Sequence, residues 1–169
     1  MRYARKSRRL PILLCVATLV VALAGCGDGR PALVRVTGTV QLDGKPLEGA
    51  IVSFQPVAQG RDAFQRPSSA VTDAEGKFSP GTYGPDDGLP PGKYRVTIQK
   101  RQPVGAASGT SESQASGPVR YQWITPRRLA DPDTSGLEAE VTSSGLEPSV
   151  FELESDGPPE VEFAPQEVE

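Results

Sequence analysis

Histidine is absent from all 169 residues, and so is asparagine. With no imidazole the chain cannot assemble a Ser-His-Asp triad, a Cys-His dyad or a His-ligated zinc site. With no asparagine, the usual acceptor for a lysine isopeptide bond is missing, which leaves only an aspartate for Lys45, Lys77 or Lys93. Cysteine occurs twice, at Cys15 and Cys26, and aromatics make up only 6% of the chain. A modest core with many turns follows, because glycine (18) and proline (17) are plentiful. These absences predict a protein that is not an enzyme and needs no cofactor or metal.

At the N-terminus Arg2, Arg5, Lys6, Arg8 and Arg9 come with no acidic residue, and residues 10–23 are then almost unbroken apolar. Basic, then apolar, then small is the order of a secretory signal. The apolar run is shorter than the roughly 20 residues a helix needs to span a bilayer, so a cleaved helical signal peptide fits better than a permanent anchor. The run closes on Leu23-Ala24-Gly25-Cys26, which resembles the lipobox of bacterial lipoproteins. That resemblance implies cleavage between Gly25 and Cys26 and transfer of a diacylglyceryl group to the Cys26 thiol. A thiolate suits such a transfer, and each buried lipid CH₂ adds about 0.8 kcal/mol of membrane affinity. The expected location is the cell envelope, with the protein lipid-anchored to a bacterial membrane and facing the periplasm or the exterior. Cys15 would leave with residues 1–25, so Cys26 would have no disulfide partner.

Loss of those five basic side chains moves the formal charge from −3 to −8. An acidic chain of this kind is not expected to bind nucleic acid.

Residues 26–33 read as a tether. From there to residue 154 the pattern is that of strands. Val34, Val36, Gly38, Val40 and Leu42 alternate with polar residues, Asp43-Gly44 signals a hairpin, and Ala50, Val52 and Phe54 resume the alternation. Residues 69–72 and Lys77-Phe78 flank the turn 73–76 and predict a second hairpin. Tyr94, Val96 and Ile98 give the clearest strand. Leu137, Ala139 and Val141, then Phe151 and Leu153, suggest a closing hairpin. Residues 101–118 contain almost no large apolar side chain and predict a flexible loop. Residues 155–169 predict an acidic disordered tail, although Val161 and Phe163 alternate with Glu160 and Glu162. The fold class expected is all-β, an antiparallel β-sandwich of about seven strands.

Four segments taken in order sharpen that expectation: Val36-Thr37-Gly38-Thr39-Val40, Asp43-Gly44-Lys45-Pro46-Leu47-Glu48-Gly49-Ala50, Thr72-Asp73-Ala74-Glu75-Gly76-Lys77-Phe78, and Pro91-Gly92-Lys93-Tyr94-Arg95-Val96. Together they resemble the carboxypeptidase regulatory-like domain, a prealbumin-like (transthyretin-like) or Ig-like sandwich. The resemblance covers roughly residues 34–100, and residues 129–137 are similar to the closing part of small bacterial lipoproteins that carry this domain. It implies an accessory or binding module rather than a peptidase.

Two further features bear on ligands. Tyr121 and Trp123 lie two apart on one strand face, where they form either core or a platform for a sugar ring. Asp73, Glu75, Asp86 and Asp87 fall short of the roughly six oxygens calcium requires in a recognisable spacing, and turn capping is the simpler role for Asp73. The partners expected are therefore membrane lipid through Cys26 and either an envelope protein or a polysaccharide.

Overall fold

Alternating side chains become strand where one face can be buried and the backbone of the next strand is within reach. The computed structural model describes residues 30–57, 66–104 and 120–163. The chain divides after Pro31, and the described strands lie in the unit Ala32–Glu169. The signal peptide and the first half of the tether expected at the N-terminus fall outside the described residues.

Strand β1 (Gly38–Leu42) meets β2 (Lys45–Pro46) through a tight turn. Asp43 (φ 50°) and Gly44 (φ 74°) both take positive φ there, the requirement of the two-residue hairpin turn. Pairing stops after Gln41↔Pro46 and Leu42↔Lys45. Leu47 then turns into the core, and β3 (Ile51–Pro56) departs for a different sheet. The expected hairpin between the segments around Val40 and Val52 is thus confined to two residue pairs.

The sheet that β3 joins is antiparallel throughout, in the order β10-β9-β6-β3-β4. Its other members are β4 (Ser68–Val71), β6 (Gly92–Gln99), β9 (Leu137–Thr142) and β10 (Gly145–Glu147). Strand β5 (Lys77–Phe78) instead pairs with β1, so the segments flanking the turn 73–76 do not form the expected hairpin with each other. Gly76 explains why that turn sits where it does. Its carbonyl accepts the Val40 amide at 2.8 Å, and a side chain there would place a Cβ 2.5 Å from the Val40 oxygen.

The closing hairpin is also replaced. Strand β11 (Val150–Leu153) runs parallel to β1, in register from Thr39↔Val150 to Leu42↔Leu153, while β9 takes β10 as its hairpin partner. The reason is burial. In this position Phe151 and Leu153 are 3% and 4% exposed, with Glu152 facing solvent between them.

Side chains from both of these sheets meet in one core, including Val40, Phe78, Phe151 and Leu153 from one and Val52, Phe54, Tyr94 and Ile98 from the other. The rings of Phe54 and Phe78 lie 5.8 Å apart, and Tyr94 meets Phe54 edge-on at 6.1 Å. The Tyr94 hydroxyl donates to the Pro90 carbonyl at 2.6 Å, and burial raises its pKa to about 12.

A third, antiparallel sheet has the order β12-β8-β7, from β7 (Arg101–Val104), β8 (Arg120–Trp123) and β12 (Val161–Phe163). Two expectations are corrected by it. The flexible loop begins with a strand at Arg101–Val104, and its continuation, residues 105–119, lies outside the described residues. The tail contains a strand at Val161–Phe163, because its alternating acids find partners on β8 and on the 3₁₀ turn Arg127–Ala130; residues 164–169 are not described.

Candidate functional site

Strand β8 carries the aromatic pair singled out in the sequence. Its last residue, Trp123, is only 8% exposed yet does not belong to the shared core. Charged groups lie against it. The Arg101 guanidinium, directly opposite on β7, lies 5.2 Å from the Trp123 ring and 5.5 Å from the Tyr121 ring. The Arg127 guanidinium lies 5.5 Å from the same indole. Cations at such distances are attracted by the ring quadrupole.

Acidic side chains complete the cluster. The indole N–H donates to Glu162 Oε2 at 2.9 Å, and the Trp123 amide donates to the Glu160 carbonyl at 2.8 Å. Arg127 reaches Glu160 at 3.8 Å and Glu162 at 3.6 Å. Residues 155–160 close over the end of β8, leaving a cavity of about 60 Å³ beside Trp123. Tyr121 and Trp123 thus stand together on β8, with the Arg101 guanidinium near both rings and that of Arg127 near the indole.

Compared with known protein families, curated proteins and solved structures, the chain matches none. Its own residues carry the functional reading.

Of the other residues singled out, Gly25 and Cys26 lie outside the described segments. Asp73 and Asp87 are engaged by backbone. Asp73 Oδ1 accepts the amides of Glu75 (3.0 Å) and Lys77 (2.8 Å), which is the capping role expected for it. Asp87 Oδ1 accepts the Thr82 amide at 2.6 Å, while its Oδ2 accepts those of Tyr83 (3.0 Å) and Gly84 (2.7 Å). The bond from Thr82 is the main reason that the Asp87 carboxyl titrates below its ordinary value. A carboxylate with a lowered folded pKa stabilises the fold above its unfolded pKa of about 3.9, and that contribution disappears as pH falls through the folded value. Asp87→Asn should accordingly lower the urea midpoint at neutral pH, and the gap from the parent should close on acidification. Parallel midpoint curves from pH 7 to pH 2 would show that the carboxylate holds nothing.

Arg101, Arg127, Glu160 and Glu162 were not identifiable as site residues from sequence. The one local signal was the alternation of Glu160 and Glu162 with apolar neighbours, which marks a strand but names no partner.

Proposed function

We propose that this protein is a non-catalytic envelope lipoprotein, whose prealbumin-like β-sandwich serves as a structural or protein-interaction module held at a bacterial membrane by lipid on Cys26. The observation that carries this reading is Leu23-Ala24-Gly25-Cys26 directly after a basic and then apolar leader. A chain without histidine, with Asp73 and Asp87 spent on turns, supports a binding role over a catalytic one. The two-sheet core supports the sandwich, as does the placement of the four family-like segments on β1, on the turns 43–44 and 73–76, and on β6.

The test is Cys26→Ser. The substitution should move a chain processed at Gly25 from the membrane pellet to the soluble envelope fraction, lowering its membrane share by at least about tenfold, since the acyl chains supply the affinity. Mass spectrometry of the parent should find an acyl adduct on the Cys26 peptide. Continued membrane retention of the processed variant would refute the anchor.

A further inference from the structure

The sole tryptophan of the chain is buried by something other than the core. Its cover consists of Arg101, Arg127 and the segment that ends in β12. That segment lies at the surface. Among the described residues none beyond Leu153 belongs to the core, residues 154–161 are all exposed, and Val161 is 53% exposed. The contacts that retain it include a three-residue ladder, the bond from the Trp123 amide to the Glu160 carbonyl, the Trp123–Glu162 hydrogen bond, a bond from the Ser155 amide to Asp43, and ion pairs of 3.6 to 3.8 Å from half-exposed arginines, Arg127 and Arg128. Ion pairs that exposed contribute little.

The edge underneath is nevertheless equipped for recognition. It offers the backbone of β8, an indole donor and a guanidinium, and these engage two acids spaced two residues apart, Glu160 and Glu162. Such an edge suits an added strand, with main-chain bonds giving affinity and alternate side chains giving specificity.

We infer that the β8 edge is a docking site for an acidic extended segment of a partner protein, of the pattern Glu-apolar-Glu, and that β12 fills it in cis as a displaceable stand-in. The chain's own Glu160-Val161-Glu162 seated there shows which chemistry the edge accepts. This deepens the interaction-module reading and rests on it, though not on the lipid anchor.

The test uses the full-length protein in detergent and a dye-labelled peptide, Pro-Pro-Glu-Val-Glu-Phe, which reproduces residues 158–163. Replacing both cis acids (E160Q and E162Q) should tighten peptide binding by at least about tenfold, with a matching change in Trp123 emission. Adding Arg127→Gln to that background should reverse the gain. Equal binding of a glutamine-substituted peptide, or no binding, overturns the proposal. Dimerisation of the E160Q/E162Q chain without peptide uptake also overturns it, by giving the edge to a second copy. Should that variant misfold, hydrogen exchange on the parent decides: the Trp123 amide, which donates to Glu160, should exchange at least about 100-fold faster than those of Val96 and Ile98. Equal protection defeats the displaceable strand. A chain that stays on the membrane but takes no peptide defeats this inference alone, because the Cys26→Ser fractionation tests the anchor separately.

Discussion

Phe54→Ala is expected to lower the free energy of unfolding by about 3–5 kcal/mol. Phe54 is fully buried on β3, paired with Ser68 on one side and Val96 on the other, and its ring meets those of Phe78 and Tyr94. Phe78 belongs to the sheet of β1 and Tyr94 to that of β6, so the truncation opens a void where the two sheets meet. Neighbours on paired strands cannot close such a void without breaking the ladders. Against a typical domain stability of about 5–15 kcal/mol, that loss is a large share. Urea unfolding followed by far-UV circular dichroism measures it. Val71→Ala is the control, since Val71 is 63% exposed and its truncation should change little, within about 0.5 kcal/mol. Matching midpoints for the two variants would mean that Phe54 does not join the sheets.

Thr72→Val should cost about 2–4 kcal/mol, while Thr72→Ser should cost far less. The Thr72 hydroxyl accepts the Ala50 amide at 2.8 Å and donates to the Leu47 carbonyl, all in a buried setting. Its backbone is bound into the same corner, with its amide on the Ala50 carbonyl and its carbonyl accepting the Gly49 amide, both at 2.9 Å. Valine keeps the shape and removes the hydroxyl, leaving one buried donor and one buried acceptor unpaired, each worth roughly 1–3 kcal/mol. Serine restores both bonds and loses only a methyl group. A valine variant as stable as the serine one would show that the hydroxyl does not hold this corner. The corner matters because the chain passes here from the sheet of β1 to that of β3.

Much of the fold was legible one segment at a time. Val40, Val52, Phe54, Tyr94, Val96, Ile98, Phe151 and Leu153 stand at the positions period-two alternation assigns to an inner face, and all are buried. Asp43-Gly44 and Asp73 to Gly76 turn as their chemistry requires. What failed was the step from adjacent segments to paired strands. The Asp43-Gly44 hairpin forms but is short, and in the other two expected hairpins the chain crossed to another sheet or found a distant partner. The site shows the same division. Tyr121 and Trp123 were recognisable as a pair, but nothing near them in sequence announced Arg101, Arg127 or Glu162.

The sequence by itself determined the positions of most strands and turns, the absence of any imidazole chemistry and the lipobox-like Leu23-Ala24-Gly25-Cys26, because each depends on residue type and spacing over a few positions. Only the tertiary structure decided which sheet each strand joins, that β11 lies parallel to β1, and that the acids of residues 160 and 162 close over Trp123. Those outcomes depend on which apolar faces can be buried together and which charges then come within reach, and the chain meets both conditions only once it has folded.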